Sequence, residues 1–269
     1  AHRLDQTREA TLFVDIGTNG EIVLAHQGRI QASSAAAGPA FEGARIACGM
    51  RATNGAIEKI TIDSTVHYHV IGDTKPAGIC GTALIDAVAE LLRRGVIDET
   101  GRILPPDEAP AELAAAVRER IVPVNGDYAF ELVPAEDSKP GEAIRLHQRD
   151  VRELQLASGA IRAGISIMLR KAGLAPEELA TVLLAGGFGN YIRRENAQRI
   201  GLLPDLPLDR IRFVGDAAST GAKTVLLARE LRQTAEDIAR AAEHVDLSMD
   251  SDFQMEFGMA MMFPAPSLG

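Results

Sequence analysis

Apolar and polar positions switch between two periods along this chain, and the switch points outline an α/β protein. Thr11-Leu12-Phe13-Val14 is a short, partly β-branched run that stops at Asp15-Ile16-Gly17-Thr18-Asn19-Gly20. Residues 21–26 follow, then a tight Gln27-Gly28-Arg29, then Ile30-Gln31-Ala32. This predicts three strands joined by two hairpin turns, since Asn-Gly is a strong hairpin signal. After a small-residue segment, 33–49, a second strand pair is predicted over 56–63 and 65–71. Helical spacing begins with Leu84, Ile85, Val88, Leu91 and Leu92, closed by Arg93-Arg94-Gly95, where the helix dipole favours cations.

Residues 104–139 carry Pro105, Pro106, Pro110, Pro123 and Pro134 and read as an insertion, about 96–148 in all, with one short helix near 111–120. Asp150-Val151-Arg152-Glu153 has capping-box spacing with Asp150 as the N-cap, opening a helix to about Lys171. Thr181-Val182-Leu183-Leu184 and Ile211-Arg212-Phe213-Val214 predict two more strands. A helix is predicted from about Tyr191 to Gly201, and one long amphipathic helix over 217–242. In the tail, Phe253, Met255, Phe257, Met259, Met261 and Phe263 recur at two-residue spacing, which predicts a Met-rich strand over about 252–264. Such a strand packs on the core or offers an adaptable contact surface to a partner.

Three motifs carry candidate chemistry. In Asp15-Ile16-Gly17-Thr18-Asn19-Gly20-Glu21, glycines at a strand end let the backbone approach a ligand, and successive N–H groups can cradle an anion. Thr18 and Asn19 add short donors, while Asp15 suits a hydrated Mg²⁺, which keeps several waters and few protein ligands. In Leu184-Ala185-Gly186-Gly187-Phe188-Gly189-Asn190, a strand runs into a glycine turn before a helix, either a place for a nucleotide's ribose or α-phosphate or simply tight strand–helix packing. No Gly-Lys-Ser/Thr follows, so it is not a P-loop. In Val214-Gly215-Asp216-Ala217-Ala218-Ser219-Thr220-Gly221-Ala222, small residues favour close helix contact, with Asp216 either reaching a cleft or capping its helix.

The acidic balance narrows the partners. Lys and Arg total 28 against 37 Asp and Glu, a net charge of −9, and aromatics make up 4%, so neither nucleic acid nor an anionic membrane is expected. No apolar stretch approaches the roughly 18 residues of a membrane span, and a cytoplasmic protein is expected. Two cysteines, Cys48 and Cys80, are too few for a disulfide framework or an iron–sulfur cluster. His67 and His69 share a strand face without a third ligand. Gly78, Gly81 and Thr82 either face a cleft or open a helix. Glu42, in the glycine-rich loop 38–43, stays open between lining a cleft and docking a partner.

The three motifs, in this order, resemble the acetate and sugar kinase, heat-shock chaperone and actin superfamily, whose members place ATP between two ribonuclease H-like halves. The phrases "LFVDIGTNGEIVL", "AAAGPAFEGARI", "GICGTALIDAVAELL", "DVRELQLASGAIRAGI", "LAGGFGNYI" and "FVGDAASTGA" are similar to the C-terminal region of reductive activators of corrinoid proteins. The resemblance spans residues 11–264. It implies an α/β, ribonuclease H-like (actin-like ATPase) half with a mixed sheet flanked by helices. It also implies Asp15 near Mg²⁺, Gly17, Thr18 and Asn19 along the β- and γ-phosphates, and Gly186, Gly187 and Gly189 bordering the adenosine with Asn190 close by.

The family is ATP-dependent and returns the cobalamin of a methyltransferase's corrinoid protein from Co(II) to Co(I), using an N-terminal iron–sulfur domain. Only one Asp-Ile-Gly-Thr is present, there is no cysteine cluster, and the chain opens on Ala1. The expectation is therefore a single subdomain over 1–269, the second half of an ATP cleft, with the first half and the redox domain lying elsewhere in a homodimeric protein. The alternative is a non-catalytic dimerisation and docking module with a partial nucleotide site.

Overall fold

A computed structural model describes residues 3–187 and 191–265. Strands β1 (Thr11–Ile16), β2 (Gly20–His26) and β3 (Arg29–Ala35) form the expected meander. A second sheet follows from β4 (Ala56–Ile62), β5 (Val66–Val70) and β6 (Gly78–Ile79), leading into helix α1 (Gly81–Arg93). Helix α2 (Ala115–Arg118) precedes β7 (Ile121–Val124), β8 (Asp127–Val133) and β9 (Ile144–His147), which make a third, antiparallel sheet. The long helix α3 (Gln148–Ala172) then returns the chain to β10 (Thr181–Ala185), α4 (Arg194–Arg199) and β11 (Ile211–Gly215). Helices α5 (Ala217–Leu227) and α6 (Glu230–Ala241), the short β12 (Glu243–His244) and α7 (Phe253–Ala260) complete it.

The main sheet has the order β11-β10-β1-β2-β3-β12. β1, β10 and β11 run parallel, β2 is antiparallel to both neighbours, and β12 adds a parallel edge beside β3. Strands β1 to β3, β10 and β11 thus have the order and polarity of a ribonuclease H-like sheet, and the chain has the actin-like fold. Helix α3 packs on β2 and β3 with its apolar face, and α7 packs on α3. Leu12, Val14, Ile16, Ile22 and Leu24 from the sheet and Leu154, Ile161 and Met168 from α3 are buried in the common core.

Four expectations are corrected. The proline-dense insertion holds the β7–β9 sheet as well as a short helix. Pro123 sits on the edge strand β7, where a missing N–H is tolerated, and Asn125-Gly126, both at positive φ, turn the β7–β8 hairpin. Asp150 lies one turn inside α3 rather than at its N-cap, and its carboxylate accepts from the His147 N–H (2.9 Å). The single helix expected over 217–242 is broken at Ala228, which is extended. Thr220 and Thr224 in α5 bond back to carbonyls four residues earlier, a habit that bends helices. The Met-rich tail is helix α7, not a strand. Phe253 and Phe257, one turn apart, stack with ring centroids 6.0 Å apart among the side chains packed on the core, leaving Met255 and Met259 exposed.

Helix α1 closes the free edge of β4. Beyond Ile57 that edge has no partner strand among the described residues, and side chains four apart along α1 take its place. The Thr82 hydroxyl donates to the Glu58 carbonyl (2.8 Å), Asp86 accepts from the Ile60 N–H (3.1 Å), and Glu90 accepts from the Ile62 N–H (3.2 Å). Arg93 and Arg94 donate to the Ile62 carbonyl at 2.6 and 2.9 Å. Four helical residues advance about 6 Å and two strand residues about 6.6 Å, so the two ladders stay in step. Asp86 is 3% exposed and also receives Arg193 Nε (2.9 Å) and Asn196 Nδ2 (2.6 Å), while Arg193 reaches the Ile60 carbonyl. Burial pushes the Asp86 carboxyl above its usual range, against the lowering effect of Arg193 and Asn196. Asp86→Ala should cost about 3–5 kcal/mol, because it strands a guanidinium, an amide and a backbone N–H. Urea unfolding of the purified chain checks this.

Candidate functional site

The three motifs meet at one end of the main sheet. Asp15 pairs in register with Ala185, and Ala185 with Gly215, so the ends of β1, β10 and β11 stand side by side. The carboxyl ends of parallel strands are where open α/β sheets bind ligands. The Gly186 N–H donates to the Gly215 carbonyl (3.1 Å), tying the second motif to the third.

Gly186 has φ +101°, and a Cβ there would come within 2.4 Å of the Ile16 carbonyl oxygen and 2.8 Å of Asp15 Oδ1. Only glycine lets the turn after β10 lie this close to the acid on β1. Gly187 follows in the same turn, with nothing among the described residues within 4 Å of its Cβ position. Gly189 and Asn190, expected beside the adenosine, lie outside the described residues.

The hairpin tip between β1 and β2 closes with the Gly17 N–H donating to the Asn19 carbonyl (2.9 Å). Thr18 and Asn19 are exposed, and their backbone N–H groups donate to no acceptor among the described residues. The Thr18 hydroxyl donates to the Glu42 carboxylate, which arrives from the loop after β3.

Asp15 is half-buried. Burial first, and then the carboxylates of Glu21 and Asp216, push its pKa above the usual value. Asp216 does two things at once: it accepts from the Ser219 N–H (2.9 Å) as the cap of α5 and adds its charge beside Asp15. None of the three acids forms an ion pair among the described residues. Neither is there, among those residues, a cluster of three or more side chains arranged to hold a metal directly. Concentrated negative charge without a complete ligand cage fits a hydrated Mg²⁺, and the free N–H groups fit phosphate oxygens.

The other candidates fall into packing. Thr82 serves the β4 edge, and a Cβ on Gly81 would come within 1.8 Å of the Phe41 carbonyl oxygen. Gly78 is buried in β6. Cys80 is buried with its Sγ 3.2 Å from the Thr82 hydroxyl, and Cys48 is half-buried. The pair does not fit an iron–sulfur cluster, which takes four ligands. His67 and His69 are exposed, beside Asp63 (3.2 Å) and Glu58 (3.0 Å) respectively. A cavity of about 490 Å³ lies between α3 and α4, lined among others by Arg162, Ser166, Gln198 and Arg199, and no described residue of the three motifs lines it.

Sequence reasoning missed the Thr18–Glu42 bond and the Asp86–Arg193–Asn196 cluster. The signal for the second was present: Asp86 and Glu90, four apart, lie inside the apolar stretch of α1.

Comparison with known proteins agrees with the fold. A family described as the C-terminal domain of RACo, the ASKHA domain, matches residues 9–268. The corrinoid activation enzyme RamQ of Eubacterium limosum is 37% identical over 97% of this chain. The [Co(II) methylated amine-specific corrinoid protein] reductase of Methanosarcina barkeri is 28% identical over 91% of it. This chain spans 44% of each of those relatives. A solved reductive activator for corrinoid, iron-sulfur protein superposes with a TM-score of 0.86 at 38% identity, covering 98% of this chain and 41% of that one. The chain belongs to the family of C-terminal ASKHA domains of RACo.

Proposed function

We propose that this chain is the second half of an ATP-binding cleft in a longer reductive activator of a methyltransferase's corrinoid protein. The observation that carries the proposal is the meeting of Asp15, Gly186 and Gly215-Asp216 at the carboxyl ends of three parallel strands. In this reading the Gly17-Thr18-Asn19 tip holds the β- and γ-phosphates with backbone N–H groups, and Gly186 and Gly187 lie along the nucleoside. Asp15 holds the hydration shell of Mg²⁺, whose chemistry is to neutralise the phosphates. The net charge of −9 is compatible with this, since the anion is met by amides and the metal rather than by a basic patch.

The electron that takes Co(II) to Co(I) comes from an iron–sulfur domain of the same longer protein. Nucleotide affects that reduction only by binding one conformational state more tightly than another. We place the activator in the cytoplasm as a homodimer, without nucleic-acid or membrane partners. A second reading, a docking module with a partial nucleotide site, draws on the exposed Met255, Met259 and Met262 on and beside α7.

Two measurements separate these readings. In calorimetry, this chain alone should bind Mg-ATP weakly and the full-length protein tightly. Asp15→Ala should abolish the ATP dependence of corrinoid reduction by the full-length protein; unchanged ATP dependence would remove Asp15 from the mechanism.

A pH series tests the electrostatics. Mg²⁺ favours ionised Asp15, so Mg-ATP affinity should rise with pH through the Asp15 pKa. Asp216→Asn keeps a helix cap but removes a neighbouring charge, so the rise should move to lower pH. Calorimetric titration at several pH values, with ¹³C-carboxyl NMR of Asp15, reads both shifts.

A further inference from the structure

We propose that Glu42 is a positioning residue of this site, engaging the Thr18 hydroxyl proton so that its oxygen is left, beside the phosphates, as an acceptor for a water or a cation. The proposal rests on the nucleotide reading above and assigns Glu42 a part in it. A threonine hydroxyl has one proton and two lone pairs. With the proton given to Glu42, Thr18 Oγ1 has none to donate to a phosphate oxygen; it can only accept, from a water or toward a cation. Such a hydroxyl is suited to orienting a water in front of the γ-phosphate, a role that belongs to turnover rather than to binding.

Three features hold Glu42 in place. It ends a 3₁₀ turn, Pro39–Glu42, in which Ala40 and Phe41 are buried. The turn is closed by the Gly43 N–H donating to the Ala40 carbonyl (2.9 Å) and the Ala44 N–H to the Pro39 carbonyl (3.2 Å). The Phe41 carbonyl lies against Gly81 so closely that no side chain fits between them. The loop is therefore seated on the first turn of α1, and its carboxylate is brought to the hairpin tip by fixed backbone. Among the described residues Glu42 forms no ion pair, so its carboxylate is not engaged in a surface salt bridge.

The test uses Mg-ATP hydrolysis by the full-length protein. Glu42→Ala should lower kcat about tenfold, the kinetic equivalent of one charge-assisted hydrogen bond, with KM for ATP within about twofold. Glu42→Gln keeps an acceptor and should recover most of the loss. Thr18→Val should lose at least as much as Glu42→Ala, and the double variant should be no slower than Thr18→Val alone. An unchanged kcat in Glu42→Ala, losses that multiply in the double variant, or a loss only in KM and thermal stability would overturn the role of Glu42. If the unaltered full-length protein neither binds nor hydrolyses Mg-ATP, the nucleotide reading fails and Glu42 with it. If Asp15→Ala is inactive while Glu42→Ala is not, only Glu42 is removed.

Discussion

One buried carboxylate, that of Asp86, ties three separate parts of the chain together at a single point. It accepts a backbone N–H from β4, a guanidinium from Arg193 and an amide from Asn196. A carboxylate removed from water is unfavourable unless its lone pairs are filled, and here they are. The consequence reaches beyond α1. Arg193 and Asn196 belong to the segment that follows the glycine turn of β10, so Asp86 couples the β4–α1 unit to the strand ends that build the site. The same helix seats the Glu42 loop through Gly81. A single helix therefore positions two walls of the candidate cleft, and its polar residues face inward to do so.

At the site itself the arrangement is electrostatically unfavourable until something positive arrives. Burial and two neighbouring carboxylates oppose the ionisation of Asp15, while the Thr18 and Asn19 amides at the hairpin tip meet no acceptor among the described residues. Each deficit suits the other half of one ligand, a metal and a polyphosphate together. Because the charges sit at strand ends and at a helix cap, they are held by the sheet rather than by mobile loops. This kind of preorganisation lowers the cost of binding.

Much of this was legible in the sequence, for identifiable reasons. Strands β1 to β3 announced themselves because one face is buried and the turns carry Asn-Gly and Gln-Gly. β10 and β11 were legible as apolar runs ending in glycine. The β7–β9 sheet was hidden because the prolines around it outweighed the Asn125-Gly126 turn, although Pro123 is harmless on an edge. α7 was misread because every second residue from Phe253 to Phe263 is apolar, and period two mimics a strand when the intervening positions are mixed. At the site, the individual motifs could be read but not their meeting, which depends on parallel pairing between distant segments. Thr18–Glu42 is a contact across 24 residues that no local period encodes.

That parallel pairing also has a temporal side. Thr11 aligns with Thr181, so β1 waits for about 170 residues before its neighbour exists. At roughly 5–20 residues per second of synthesis this is a delay of about 10–30 s. During that interval the β1–β3 meander exists with an unpaired edge on β1, the kind of surface that other nascent chains can join. Closing the sheet is a late, long-range event of the sort that slows folding. The part of the candidate site that depends on that closure, Asp15 beside Gly186 and Asp216, is consequently among the last parts to form.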